Sequence, residues 1–243
     1  MSSNLVIIPT YNEKDNIEDI LHVIFSLESN FHVLIVDDNS PDGTASIVKK
    51  LIADTYQSKL FIEERTGKLG LGTAYIHGFK WALKHQYTYI FEMDADFSHN
   101  PADLPRLLDA CKGEQYDMSV GSRYIKGGKV VNWPLSRIFI SYFASVYVRI
   151  ITWMPVRDTT AGFVCYHRKV LETLDLDNIR FVGYAFQIEM KFKTLKKQFK
   201  IAEVPITFVD RKKGVSKMNK GIIKEAVWGV LSLQWQHLRG KLK

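Results

Sequence analysis

Cysteine is scarce in this 243-residue chain, which has only Cys111 and Cys165. Two such residues make neither a ligand cluster nor a disulfide framework. One disulfide is open to them, but reduced thiols in a cytosolic protein are the expectation. An apolar run of bilayer length is also missing. The longest apolar-rich segment, IFISYFASVYVRIITW (Ile138–Trp153), has 16 residues and includes Arg149. It is too short and too polar to span a membrane unaided. MSSNLVIIPTYNE goes almost directly into a strand-like run, without the basic and apolar regions of a signal peptide, so none is expected. Internal repeats, low-complexity tracts and linkers are absent. No Ser-His-Asp or Cys-His set is apparent. The glycine-rich stretch TGKLGLGTA has neither the G-x-x-x-x-G-K-[ST] order nor G-x-G-x-x-G, and it does not follow the first strand. A helix-opening turn that brings backbone close to a ligand suits it better.

What the chain does have is an ordinary globular balance, 46% hydrophobic and 24% charged, and a net charge of +7 that is unevenly spread. Residues 191–243 carry 14 Lys/Arg against 3 Asp/Glu, about +11, while the preceding 190 residues sum to −4. A basic C-terminal quarter fits nucleotide phosphates, a membrane surface or nucleic acid, or is simply a solvated face. Nucleic acid is disfavoured, because no recognised motif and no interleaved stacking series accompany the bases.

Strand-like and helix-like segments alternate through the first half. NLVIIP (Asn4–Pro9), HVLIVDD (His32–Asp38), LFIEE (Leu60–Glu64), TYIFEMDAD (Thr88–Asp96) and YDMSVGSRY (Tyr116–Tyr124) predict strands. Between the first two, Ile17, Ile20, Leu21, Ile24 and Phe25 form a helical stripe. Val48, Leu51 and Ile52 mark a second helix, a third runs from the glycine-rich turn to Leu83, and Pro101 suits the start of a fourth. The expected fold class is α/β, with a mainly parallel central sheet and helices on both faces. After residue 125 come an amphipathic segment (Trp133–Trp153), a short strand AGFVCY (Ala161–Tyr166), a helix near Ala185–Lys197, a strand IAEVPITFV (Ile201–Val209), a basic loop DRKKGVSK (Asp210–Lys217) and a last amphipathic helix.

In such sheets ligands bind beyond the carboxyl ends of the strands. Those ends carry Thr10-Tyr11-Asn12-Glu13, Asp37-Asp38 and Asp94-Ala95-Asp96. Alternation along a strand would put Asp94 and Asp96 on one side. Alone, that pair is open to two readings, a solvated loop before Pro101 or a divalent-cation site that relieves their repulsion. Three convergent polar clusters favour the cation, and a cation there favours an anionic ligand.

The blocks IPTYNE, VDDNSPDGT, DADFSHNP, GSR and FVDRKKGVSK, in this order and spacing, resemble the family 2 glycosyltransferases of GT-A fold. Within that family the likeness is strongest to dolichyl- or polyprenyl-phosphate mannosyltransferases, and it extends from about residue 4 to about residue 217. It implies inverting transfer of mannose from GDP-mannose to a dolichyl or polyprenyl phosphate, with Mg²⁺ or Mn²⁺ as cofactor. By resemblance, Pro9, Tyr11, Glu13, Val36 and Asp38 line the nucleotide pocket. Asp94, Ala95 and Asp96 hold metal and diphosphate, with Ser98 at the next ligand position. Arg211 and Lys217 close over the donor, and Arg123 and Arg137 hold the acceptor phosphate. Asp96, Arg123 and Arg137 are therefore the expected catalytic residues. Two departures stand out: Val164 follows Gly162-Phe163 where Arg is common, and the terminal transmembrane helices of some members are not seen.

The residue chemistry agrees. A departing nucleoside diphosphate needs a cation, and Mg²⁺ takes one or two carboxylates plus substrate phosphates. A phosphomonoester acceptor is already anionic, so it needs placement rather than a general base. Two alternatives remain: another donor such as UDP-glucose with the same lipid acceptor, and a binding module without catalysis. The expected organisation is a catalytic domain over residues 1–217 and an amphipathic helix over 218–243, which either belongs to the same compact unit or associates with membrane. In that helix Ile223, Val227, Leu231, Trp235 and Leu238 share a face. Trp228 lies seven residues before Trp235, and Lys220, Lys224, Arg239, Lys241 and Lys243 bracket the segment. The expected location is cytoplasmic and peripheral to a membrane, with room for a membrane-anchoring protein partner.

Overall fold

A computed structural model describes residues 3–113, 115–210 and 220–240. Strand β1 (Asn4–Thr10) is hydrophobic at nearly every position because both its faces are covered. Val6 and Ile8 pack into one core with the α1 stripe, while Leu5 and Ile7 pack into another with Ala74, Tyr75 and Phe79. Helix α1 (Ile17–Phe25) buries Ile17, Ile20, Leu21 and Ile24, as the stripe predicts. Strands β2 (Phe31–Asp37) and β3 (Leu60–Glu64), with α2 (Thr44–Asp54) between them, extend the sheet in parallel. Helix α3 (Leu71–Lys84) returns the chain to β4 (Tyr89–Glu92), which pairs in parallel with β1.

A short 3₁₀ turn (Pro101–Asp103) leads into α4 (Leu104–Lys112), then β5 (Met118–Ser122), β6 (Lys129–Val131) and α5 (Leu135–Thr152). Strand β7 (Val164–His167) runs antiparallel between β4 and β5. It is followed by α6 (Arg168–Thr173), α7 (Tyr184–Lys196), β8 (Ile201–Pro205), β9 (Thr207–Val209) and α8 (Lys220–Leu238). Among the described residues one seven-stranded sheet has the order β3-β2-β1-β4-β7-β5-β8, with β6 and β9 as a separate two-stranded sheet. The expected α/β architecture, a mainly parallel sheet with helices on both faces, is observed.

Three expectations change. The strand expected over Ile201–Val209 is two strands. β8 pairs with β5 up to Pro205, and β9 leaves to pair with β6. Pro205 has no N–H to continue a ladder, so a break there costs little. Strand β4 stops at Glu92, so Asp94 and Asp96 lie on the loop beyond it rather than on alternating strand positions. Helix α5 has 18 residues and a mean hydropathy of 1.3, so by length and composition alone it is long enough and apolar enough to cross a membrane. Only 17% of it is buried, with Ser145, Val148 and Thr152 facing the protein. Helix α8 packs by Val230 and Leu233 against Val148 of α5 and Ile188 and Phe192 of α7. Tyr147 Oη donates to Val227 O across the α5–α8 contact at 3.0 Å. Cys111 and Cys165 are free and buried.

Candidate active site

The ends of β1, β2 and β4 meet at one rim, and each following loop has one non-glycine residue in the left-handed region: Asn12, Asn39 and Phe97, at φ of about 60°. Asparagine tolerates that conformation readily. A bulky Phe does so only under constraint from its surroundings. Asp37 binds the first two loops together. Its carboxylate accepts from Thr10 Oγ1 at 2.7 Å and from Ser40 N and Oγ at 2.9 and 2.6 Å. Asp38 receives Arg65, whose Nε lies 2.6 Å from Oδ1. Arg65 also donates to Thr73 Oγ1 at 2.8 Å. The glycine-rich turn is explained here by packing: a Cβ on Gly72 would lie 2.8 Å from Phe181 O, and Gly72 N donates to Val182 O.

The expected donor residues other than Arg211 and Lys217 lie on or just beyond the ends of β1, β2 and β4. Pro9, Tyr11 and Glu13 are partly exposed there, with Lys68 Nζ 5.0 Å from the Tyr11 ring centre. Val36 and Ala95 are buried in the two cores, so any nucleotide contact they make is through the main chain. Asp94 is part-exposed, while Asp96 and Ser98 are buried. Asp96 Oδ1 accepts from Ser98 N at 3.0 Å, which folds the loop back on itself. His99 sits behind the loop, stacked on Phe163 at 4.9 Å, and its Nδ1 receives Asp94 N at 3.3 Å. Burial pushes the His99 imidazole well below its ordinary pKa. Among the described residues no three His, Cys, Asp or Glu side chains gather into a metal cage. The donor set Asp94, Asp96 and Ser98 is all oxygen and only two carboxylates strong. That composition fits a divalent ion shared with substrate phosphates rather than an all-protein site.

A cavity of about 500 Å³ opens beside this loop, lined by Asp96, Phe97 and Asn100 on one side and Val209 and Asp210 on the other. Val209 N donates to Ser98 O at 3.3 Å, so β9 is anchored on the Asp94–Ser98 loop. Beyond β9 stand the two expected acceptor arginines, flanking one indole. The Arg137 guanidinium carbon lies 3.9 Å from the Trp133 ring centre and that of Arg123 lies 5.6 Å away. Arg137 Nη1 also donates to Asp210 Oδ1 at 3.1 Å. Arg211 and Lys217 lie outside the described residues.

Arg123 has a partner that the sequence reading missed. Asp158, fully buried, accepts from Arg123 N, Nε and Nη2 at 2.9, 2.7 and 2.6 Å. Arg123 Nη2 also donates to Thr160 Oγ1 at 2.9 Å. Burial alone would raise the Asp158 pKa, but the Arg123 charge and its hydrogen bonds hold it below the ordinary carboxylate value. Gly128 is required beside this pair, because a Cβ there would lie 2.7 Å from the Arg123 carbonyl. A second buried group supports the same region. Glu92 accepts from Tyr166 Oη at 2.9 Å and from Gln187 Nε2, and Lys191 Nζ donates to Ala161 O at 2.7 Å. Burial raises the Glu92 pKa and lowers that of Lys191. The only sequence signal for Asp158 was its place just before Ala161-Gly162-Phe163, and a single acid carries no pattern.

The Glycosyl transferase family 2 profile matches residues 5–175. The chain is 44% identical over 239 residues to the polyprenol monophosphomannose synthase of Mycolicibacterium smegmatis, covering 98% of this chain and 88% of that protein. It is 45% identical over 243 residues to the undecaprenyl-phosphate mannosyltransferase of Micrococcus luteus, covering 98% of each. Among solved structures, it superposes on a mannosyltransferase of Pyrobaculum calidifontis in complex with GDP-Man and Mn²⁺. The TM-score is 0.64 and the identity 20%, over 97% of this chain and 64% of that one. It also superposes on glucosyl-3-phosphoglycerate synthase of Mycobacterium tuberculosis, with a TM-score of 0.66 and 16% identity over 96% and 78% of the two chains. These last two likenesses concern the fold. The chain belongs to glycosyl transferase family 2.

Asp158→Asn is expected to destabilise the fold by about 3–5 kcal/mol at neutral pH, because it leaves Arg123 buried without its counter-charge. The folded carboxylate has a depressed pKa. Its contribution is therefore complete above the ordinary Asp value of about 3.9 and is lost as pH falls through the lower folded value. Urea unfolding against pH should show that acid limb reduced in the variant. An unchanged midpoint at pH 7 would contradict the role given to the pair.

Proposed function

We propose that this protein transfers mannose from GDP-mannose to the phosphate of a polyprenyl phosphate, with inversion at the sugar carbon. The observation that carries the reading is identity of 44–45% across 98% of the chain to proteins named for mannosyl transfer to polyprenyl phosphates. The rim supports it. The donor diphosphate lies against Tyr11, Glu13, Asp38 and the Asp94–Ser98 loop. Asp94 and Asp96, with Ser98 beside them, would hold a divalent ion, Mg²⁺ or Mn²⁺, which would supply charge for the departing nucleoside diphosphate. Arg211 and Lys217 add to that charge.

Arg137 and Arg123 hold the acceptor phosphate, and Asp158, which takes Arg123 Nε and Nη2, fixes the position of that guanidinium. The attacking oxygen is already anionic, so this arrangement needs no general base. That accounts for the lack of an apparent nucleophile-and-base set among the rim residues. The catalytic unit extends through β9, and α8 forms part of the same packed body.

The acceptor is a lipid, and we place the enzyme peripherally at the cytoplasmic membrane surface. Of the helical face expected to be apolar, Val227, Leu231, Trp235 and Leu238 are exposed on α8, as is Trp228 near them, while Ile223 lies outside the described side chains. Leu135, Phe139, Phe143 and Ile150 of the neighbouring α5 are exposed too, as is Trp153 just beyond it. Arg239 lies over the Trp235 ring at 3.6 Å. Exposed aromatics edged by bases suit an anionic lipid interface.

Asp96→Asn should retain the wild-type melting temperature and lose mannosyl transfer by about a hundredfold or more at limiting metal, since it removes an oxygen from the charge-stabilising site. Transfer equal to wild type under those conditions would remove Asp96 from the metal site. The donor screen that accompanies it, GDP-mannose against UDP-glucose, distinguishes the two donor readings.

Removing α8 would strip Val230 and Leu233 from a buried cluster, so its outer face is better tested by substitution. The pair Trp228→Ser and Trp235→Ser should lower partitioning onto anionic vesicles about tenfold or more and leave nucleotide affinity unchanged in calorimetry. Undiminished vesicle binding would shift the membrane contact to α5.

A further inference from the structure

Trp133 does more than stack on Arg137. Its indole Nε1 is shielded from solvent and has no hydrogen-bond partner among the described residues, and the same is true of Arg137 Nε. Both are N–H donors with no acceptor capacity. Buried donors normally have partners, and an unsatisfied one is a cost that a bound ligand can relieve. These two lie four residues apart, in the turn before α5 and in its first turn, with the guanidinium lying over the indole at 3.9 Å. Trp133 also meets Phe208 of β9, edge-on at 5.2 Å. The indole therefore has little freedom to turn its N–H elsewhere.

The acceptor that suits a guanidinium and an indole N–H together is an oxyanion. One already stands next to the arginine: the Asp210 carboxylate, 3.1 Å from Arg137 Nη1. The Arg137 and Asp210 side chains are each about one-quarter exposed, so an entering anion has access to the pair. Asp210 directly follows β9 and lines the cavity that Asp96 also lines. Displacing its carboxylate would free the arginine toward that cavity.

We propose that Trp133 is a further acceptor-binding residue, donating its indole N–H to the acceptor phosphate beside Arg137, and that Asp210 holds the place of that phosphate while the acceptor is absent. The proposal rests on the reading of the acceptor as a phosphomonoester. It adds a neutral, directional donor to a site otherwise built from arginines. Such a donor strengthens the binding of a phosphate oxygen at one position.

The test uses the full chain with a short-chain, water-soluble polyprenyl phosphate. Trp133→Phe keeps the ring that stacks on Arg137 and Phe208 but lacks the N–H. It should raise the KM for the acceptor about tenfold, the usual worth of a hydrogen bond to a charged group, with kcat and GDP-mannose affinity near wild type. In wild type labelled with ¹⁵N-tryptophan, the Trp133 indole N–H resonance, assigned by its loss in Trp133→Phe or, should that variant not fold, in Trp133→Tyr, should shift on adding polyprenyl phosphate and not on adding the matching polyprenol. An acceptor KM within twofold of wild type in a folded Trp133→Phe, or an indole signal unmoved by saturating polyprenyl phosphate, would overturn the proposal. Wild-type protein that makes no mannolipid yet shows the phosphate-specific shift would instead overturn the proposed reaction and leave the phosphate site standing.

Discussion

The site depends first on a buried ion pair. Asp158 has no contact with water, and it accepts three hydrogen bonds from Arg123 alone. Its own backbone N–H donates to Glu203 on β8, so this one residue ties the end of β5 to the approach to β7 and to the sheet edge. Arg123 in turn stands against Trp133, Tyr124 and Phe208. Without its counter-charge that guanidinium would be a buried, uncompensated cation and the aromatic wall around it would have to rearrange. Glu92 and Lys191 repeat the principle one layer deeper, an acid and a base each hydrogen-bonded out of water.

The rim is divided in charge by the topology. Parallel strands β1, β2 and β4 deliver Glu13, Asp38, Asp94 and Asp96 to one end of the sheet. The antiparallel insertion of β7 then displaces β5 sideways, and the chain beyond β5 delivers Arg123, Trp133 and Arg137 next to that acidic half. Strand β9, hydrogen-bonded to Ser98 through Val209, closes the gap between the halves. On the proposed reading the acidic half addresses a metal-bound diphosphate and the basic half a lipid phosphate, with the sugar between two anionic groups that neither half could hold alone.

Much of this was legible in the sequence, for local reasons. The α1 stripe and the doubly buried β1 and β2 follow from periodicity and length. The convergence of three polar clusters follows from the parallel order. Other features were not legible, because they rest on long-range pairing. Asp158 and Arg123 are 35 residues apart, and Arg65 and Asp38 are 27. Neither pair leaves a local pattern. The break at Pro205 was visible only as a proline within the strand-like run Ile201–Val209. The early end of β4 was hidden because Met93 and Ala95 stay buried after the strand has stopped. The sequence marked an apolar face on α8 but left open whether that face meets the core or a membrane. Val230 and Leu233, on the other side, turned out to hold the core contact.

The central claim, that an already anionic phosphate oxygen attacks the sugar carbon with inversion, has one direct test. The acceptor phosphate is labelled with ¹⁸O and the donor mannose with ¹³C at C1, and the mannolipid is read by ¹³C NMR. The account predicts a β-configured C1 carrying the ¹⁸O isotope shift, with the label bridging carbon and phosphorus. An α-configured product, or a C1 bonded to unlabelled oxygen, would contradict it.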